Sequence, residues 1–322
     1  MLFESIRTYV ERKRSFGFGY EKSARNLWSF SKQIGDVPLA SVTPRQVSAF
    51  LNGPHTSTIT WRAKYSLLRR FFEYWAARGM LPTSPMPLIR PPCLQTFVPH
   101  VYSRSELRLL LRSTRFSQKR RACKIGSQTL RTLLLFLYGT GALKGEALRL
   151  GREDVDLNRD LVTIRGNRFN RVRRIPIGPD LHKRLRRFID SASQKRNHGK
   201  NFFANRDGSA IKARILGKSF ERLRRVSGIA RHDENRYHPR IHDLRHTFAV
   251  HRLTAWFKQG ADLNRMLPAL SAYLGQVGLG STERYLSMTP ERFRKQLVKL
   301  SPNRRRRRWR DNAALMKFLS EL

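Results

Sequence analysis

The sequence predicts a mostly α-helical protein with one small β-sheet, organised as two domains. Three observations carry that expectation. Most stretches space their apolar residues three and four apart between recognisable caps, as in "TPRQVSAFLNG" (residues 43–53). One pair of β-rich runs, "LVTIRG" (161–166) and "RRIPIG" (173–178), stands apart from them. A proline-dense segment (81–100), carrying Pro82, Pro85, Pro87, Pro91, Pro92 and Pro99, interrupts the pattern, and 322 residues leave room for a domain on each side.

Taken in order, the first domain, expected over residues 1–92, reads as helices only. Thr43 suits an N-cap, Pro44 the first helical position, and Gly53 follows the end. Val47, Phe50 and Leu51 form the apolar stripe between them. "TITWRAKYSLLRRFFEYWAARG" (58–79) is a longer helix with Leu67, Leu68, Phe71, Phe72 and Trp75 inward and Gly79 as its stop. Arg62, Lys64, Arg69 and Arg70 lie on its other face. Such charges ordinarily face solvent; with acidic partners scarce, contact with a nucleic-acid backbone gains ground. A linker is expected at 93–102.

The second domain, expected over 103–298, opens with the helical patterns "SRSELRLLLRS" and "SQTLRTLLLFLYGTG". The strand pair follows, joined by the basic loop "NRFNRV" (167–172). Later helical patterns include "IHDLRHTFAVHRLTAWFKQG" (241–260) and "TPERFRKQLVKL" (289–300). A tail at 299–322 carries five consecutive arginines (304–308), then turns amphipathic through Leu315, Met316, Phe318, Leu319 and Leu322. It reads either as a disordered basic tail or as one that grips phosphate while its apolar end docks on a neighbouring copy.

The charge balance speaks about partners. There are 65 Lys plus Arg against 23 Asp plus Glu, a formal net charge of +42. The natural partner of such a field is a polyanion, nucleic acid first. A ribosomal-type protein or a membrane-surface binder would share the charge, but 19 Phe and 5 Trp ask for proper cores. Cys93 and Cys123 form neither a metal-ligand spacing nor a disulfide framework, which fits a reducing compartment. "MLFESIRTYVERKR" has no apolar signal core, and "LLLFLY" (133–138) is too short to span a bilayer, so a cytoplasmic protein without membrane contact is expected.

Candidate chemistry gathers late in the chain. "HDLRHTFA" (242–249) puts His242 and Arg245 one helical turn apart on one face. A histidine can move a proton near neutral pH, and an arginine fork fits phosphate oxygens. His246 lies four beyond His242, the spacing of a zinc pair, but no Glu follows His242 and no third ligand cluster is evident. No metal and no other cofactor is therefore expected. Forty residues past Arg245, "YLGQVGLGSTERYL" (273–286) presents Tyr285 after a loop of small residues with Ser281 as a helix cap. A core tyrosine and a nucleophile both fit that setting. A phenol that attacks phosphorus conserves the diester energy in a tyrosyl phosphate, so neither metal nor ATP is needed.

These stretches together resemble the tyrosine recombinases of the phage integrase type. "LYGTGALKGEALRLGREDVDL" (137–157) looks like that family's first block, "RFNRVRRIPIG" (168–178) like its hairpin, "HDLRHTFA" like its His-x-x-Arg block and "YLGQVGLGSTERYL" like its last. The similarity runs from the helical N-terminal domain to about residue 298, and the pattern is most like recombinases of bacterial transposable elements. It implies a DNA clamp of a helical core-binding domain and an α+β catalytic domain. It implies double-stranded DNA as partner and assembly as a tetramer, or with related recombinases. By resemblance Tyr285 attacks the scissile phosphate and keeps the 3′ end, Arg245 stabilises the phosphorane, and His242 bonds the phosphate or takes the phenol proton. Arg171 and Arg173, around the hairpin, join Arg62, Lys64, Arg69 and Arg70 as DNA contacts.

Three positions depart from the family pattern. Leu143 stands where an arginine is usual, with Lys144 beside it. Arg168 stands for the hairpin lysine that acts as general acid, and a guanidinium gives up its proton poorly. Gln276 stands where His or Trp is usual and can still donate. Losing one preorganised donor costs on the order of 10²–10³ in rate, and losing a positioned acid roughly 10²–10⁴. An integrase that cuts and rejoins DNA for a mobile element is one expectation. A catalytically impaired subunit that binds DNA beside an active partner is the other. A DNA-packaging protein is a third, and leaves the four ordered blocks unexplained.

Overall fold

The periodic stretches of the first ninety residues form four α-helices around an apolar centre. The computed structural model describes residues 1–17, 19–54, 56–88, 98–120, 122–166, 172–191, 199–231, 237–276 and 285, without the side chain of Asn264. Half of the expected linker, Arg168 and Arg171, the stretch between Gln276 and Tyr285, the helical pattern at 289–300 and the tail lie outside the described residues. Contacts divide the chain into two units, Met1–Phe97 with Arg165–Val172, and Val98–Ile164 with Arg173–Leu322.

In the first unit, helix α1 (Leu2–Ser15) buries Leu2, Ile6, Tyr9 and Val10, the spacing of a single helical face. Helix α2 (Glu21–Ile34) packs against α1, and also against α3 (Pro44–Leu51) and α4 (Thr58–Ala76). Phe30 of α2 meets the ring of Phe50 at 5.2 Å and that of Phe72 at 6.1 Å, both edge-on. Thr43 caps α3 as expected: the Gln46 amide N–H donates to its hydroxyl at 3.3 Å, and the Gln46 side chain accepts from the Thr43 N–H at 2.8 Å. The C-cap of α3 is Asn52, and Gly53 follows it. After α4 the chain turns through Gly79 at φ +71°, a left-handed conformation that glycine adopts without strain.

The basic face of α4 is less open than the sequence suggests. Lys64 folds back, its ammonium donating to the Phe50 carbonyl at 3.0 Å and lying 4.1 Å from the Phe50 ring centroid. Burial pulls its pKa below the ordinary lysine value. Arg70 is exposed, with Nε on the Ser66 carbonyl at 3.0 Å, and Arg69 is exposed 3.5 Å from Glu73. Arg62 is half-buried.

In the second unit, helix α5 (Arg104–Ser117) starts at a capping box between Ser103 and Glu106. Helix α6 (Ser127–Thr140) is apolar on nearly every face, and accordingly has neighbours all round: α5, α8 (Pro179–Ile189) and α10 (Asp243–Lys258). Leu130, Leu133 and Phe136 are fully buried there. Short helix α7 (Lys144–Leu148), α9 (Ala213–Val226) and α11 (Leu263–Leu274) complete the described helices.

The sheet has three strands in the order β1 (Val155–Asp156), β2 (Leu161–Arg165), β3 (Val172–Pro176). Strands β1 and β2 are antiparallel, with Val155 opposite Val162. The Asp156 carboxylate closes the turn between them, accepting from the N–H groups of Asn158 at 3.0 Å and Arg159 at 3.1 Å. The sequence predicted β2 and β3 but not β1, because two residues are too short to show an alternation. Among the described residues no helix is long and apolar enough to cross a membrane.

Candidate active site

The end of α6 begins the site. Gly141 caps the helix in the left-handed region, φ +62°, with its N–H on the Leu137 carbonyl at 3.0 Å. Its own carbonyl points onward and accepts from Nη1 of Arg245 at 2.8 Å. Nη2 of Arg245 donates to the carbonyl of Leu274, the last residue of α11, at 2.9 Å. Arg245 is 6% exposed. Helix C-termini carry partial negative charge, so two of them can hold a guanidinium that makes no direct ion pair among the described residues. Burial still pulls Arg245 below its ordinary pKa, and Tyr285 and then Glu146 pull it back up.

Close approach dictates the glycine at 141. A Cβ there would stand 2.6 Å from Leu274 Cδ2 and 2.6 Å from Phe248 Cδ1. Phe248 belongs to α10, one turn beyond Arg245, so the same helix supplies the arginine and the wall against which α6 and α11 close.

Glu146 and Arg173 form the layer beside Arg245. Arg173 of β3 grips Glu146 of α7 with both terminal nitrogens, at 2.8 and 2.9 Å, and its Nε donates to the Tyr273 carbonyl at 3.0 Å. Glu146 also accepts from the Leu143 N–H at 2.8 Å. Burial alone would raise the Glu146 carboxyl; the Arg173 bonds and charge, with Leu143 and Arg245, outweigh it and hold the pKa below the usual carboxylate value. Arg173, expected to face DNA, therefore spends its fork inside the protein, tying β3 and α7 to the end of α11. Replacing Glu146 with Gln should cost up to roughly 3 kcal/mol in urea unfolding, because a half-buried guanidinium loses its carboxylate.

Tyr285 packs as a core residue does, and its hydroxyl has a polar partner. It is 3% exposed and packs with Phe248, Leu270 and Leu274. Its hydroxyl accepts from Nε2 of Gln276 at 3.0 Å and lies within electrostatic reach of the Arg245 side chain. The His246 ring stands edge-on to it, centroids 5.4 Å apart, and the His242 ring follows at 5.2 Å from His246. Gln276 thus meets Tyr285 directly, and His242 reaches it only through His246. In the sequence His246 was weighed only as a metal ligand. Among the described residues no three metal-binding side chains gather, and Nδ1 of His246 is buried without a hydrogen-bond partner.

The two histidines are held neutral. Desolvation, then His242, pushes His246 down to about 4. Desolvation, then the Arg245 charge, lowers His242, although its surface is exposed; among the further cations acting on it are Arg240 and Lys144. Neutral imidazole can accept a proton. The same shift makes acid destabilising: below pH 6.5 the unfolded chain binds protons at His246 that the folded chain refuses. Stability should therefore fall by about 2 kcal/mol between pH 7 and pH 5 on this group's account. Urea unfolding at both pH values checks this, and His246→Gln should flatten the slope.

Of the departures noted in the sequence, Leu143 and Gln276 lie among the described residues. Leu143, at the N-cap of α7, is 39% exposed and offers no polar atom beyond its backbone. Lys144 next to it is exposed. The buried Glu146–Arg173 layer was missed, and a glutamate inside an apolar helical pattern of so basic a chain was its only signal.

A mostly helical unit that sets a fixed arginine against a tyrosine hydroxyl, with neutral histidines beside it, has the makings of a phosphoryl-transfer centre. A family model described as the phage integrase family matches residues 114–292, and the chain belongs to this family of tyrosine recombinases. It is 28% identical over 319 residues to y4rB of Sinorhizobium fredii, named as an integrase/recombinase, covering 96% of this chain and 98% of that one. It is 28% identical over 263 residues to tyrosine recombinase XerC of Staphylococcus saprophyticus subsp. saprophyticus, covering 80% of each. Among solved structures it is similar to the Tn1549 transposon integrase in complex with a circular intermediate DNA (TM-score 0.64, 18% identity, 87% of this chain and 94% of that one). It is also similar to a lambda integrase tetramer bound to a Holliday junction (TM-score 0.63, 16% identity, 88% and 76%). At such identities the structural likeness speaks for the fold.

Proposed function

We propose that this chain cuts and rejoins double-stranded DNA at specific sites for a mobile element, through a 3′-phosphotyrosyl intermediate on Tyr285. The observation that carries the reading is the Tyr285 hydroxyl, set in an otherwise apolar cluster and aimed at Gln276 and Arg245. A tyrosine needed only for packing gains nothing from an arginine that two helix ends already hold. On DNA, the phenol oxygen attacks phosphorus. Arg245 and Gln276 bond the phosphorane oxygens as charge develops there, and neutral His242 takes the phenol proton. The net charge of +42 supports a DNA partner, as do the DNA-bound neighbours. Exposed Arg69 and Arg70, with Arg62, are proposed to meet the backbone. The tetramer in the lambda integrase structure supports assembly of several copies, or of this chain with related recombinases.

A second reading is a subunit that binds DNA beside an active partner without cutting, and the exposed Leu143 favours it. A nicked duplex carrying the chain's own site separates the two. A covalent protein–DNA band on a denaturing gel, lost in Tyr285→Phe while the gel shift persists, supports the enzyme. A gel shift with no band supports the binding subunit.

A further inference from the structure

We propose that Lys144, beside the Leu143 that stands where the family pattern has an arginine, is the proton donor to the departing 5′ oxygen and so a catalytic residue. The inference rests on the strand-cleavage reading above. When the Tyr285 oxygen bonds to phosphorus, the P–O5′ bond breaks and the 5′ oxygen leaves as an alkoxide. An alkoxide is a poor leaving group in water unless a proton reaches it as the bond opens. The donors around the site differ in what they can give. Arg245 is committed to the Gly141 and Leu274 carbonyls and to Tyr285. Arg173 is committed to Glu146 and the Tyr273 carbonyl. Arg240 pairs with Asp243 at 3.1 Å. All three are guanidiniums, which hold their protons too tightly to act as acids. His242 and His246 are held neutral, which suits them to receive the phenol proton rather than to supply one.

Lys144 is different in kind and in position. It is an ammonium, exposed, and makes no hydrogen bond or ion pair among the described residues. It opens α7, three residues after the Gly141 carbonyl that Arg245 grips, and its charge is one of those felt by His242. The backbone leading into it is fixed at two points: Arg245 holds the Gly141 carbonyl, and the Leu143 N–H is held by Glu146, itself clamped by Arg173. A flexible four-carbon stem on a rigid base can bring the ammonium to a phosphate seated at Arg245 and Tyr285. Cleavage then balances as follows. The Tyr285 Oη–P bond forms and the P–O5′ bond breaks. The phenol proton goes to His242, and an ammonium proton of Lys144 goes to the 5′ oxygen. Rejoining reverses each transfer, the neutral amine taking the proton of the 5′ hydroxyl.

The test compares two nicked duplexes carrying the site that the full-length chain selects from random-sequence DNA. One is ordinary; in the other, sulfur replaces the bridging 5′ oxygen, and a thiolate leaves without a proton. On the ordinary duplex, Lys144→Ala should form the covalent adduct roughly 10²–10⁴-fold more slowly than the unsubstituted chain, and Lys144→Arg should not restore the rate, since charge alone is not the requirement. On the sulfur duplex, Lys144→Ala should come within about tenfold of the unsubstituted chain. Equal rates on the ordinary duplex, or an equally large loss on the sulfur duplex, overturn the proposal. Adduct from the unsubstituted chain on the sulfur duplex alone overturns it too, while leaving Tyr285 a working nucleophile. No Tyr285-dependent adduct on either duplex sinks the cleavage reading itself.

Discussion

Arg245→Ala is expected to abolish adduct formation and to destabilise the second unit in the same stroke. The two losses have one cause. The guanidinium is the only described donor on the Gly141 and Leu274 carbonyls from outside their own helices, and it is almost wholly buried. Alanine leaves both carbonyls facing a cavity, at about 1–3 kcal/mol for each group left unpaired. It also removes a preorganised donor from the Tyr285 hydroxyl, worth on the order of 10²–10³ in rate. Arg245→Lys separates the parts. One ammonium keeps the charge but cannot span two helix ends and a phenol with planar geometry, so stability should recover more than rate. Urea unfolding together with single-turnover adduct formation on a nicked duplex measures both.

Gly141→Ala should be nearly as damaging, for steric rather than chemical reasons. The added methyl would press on Leu274 and Phe248 at 2.6 Å, and φ +62° is unfavourable for any side chain. Overpacking costs about 1–3 kcal/mol and the left-handed backbone about 1–2 kcal/mol more. Gly208→Ala provides the comparison, since Gly208 has φ +79° with nothing within 4 Å of the added carbon. That variant should show the backbone cost alone. Because the clash pushes α6 and α11 apart at the point where Arg245 bridges them, Gly141→Ala should also slow adduct formation more than it weakens DNA binding.

What could be read in the chain beforehand follows how local each cause is. The caps of α3 and α5 depend on residues three apart, and "TPRQ" and "SRSE" display them openly. The buried helix α6 announces itself by its composition. The grouping of His242, Arg245, Gln276 and Tyr285 was legible through ordered blocks whose separations match a known family, not through any single residue. What escaped notice depends on contacts between distant segments. Arg245 meets Gly141 across 104 positions, and Arg173 meets Glu146 across 27. No periodicity encodes either pairing, so Arg173 read as one more basic residue for DNA. Lys64 misled in the same way. Its spacing puts it on the polar face of α4, and only the placement of α3 shows that the Phe50 carbonyl and ring wait beneath it. Strand β1 is made by its partner rather than by its own two residues.

The central claim is that the Tyr285 oxygen becomes bonded to DNA. The covalent adduct on a nicked duplex, digested with protease and nuclease and sequenced by mass spectrometry, tests it most directly. A nucleotide remnant attached through a 3′ phosphate to Tyr285 is the expected result. A remnant on another residue, or none from a chain that still binds the duplex, would contradict it.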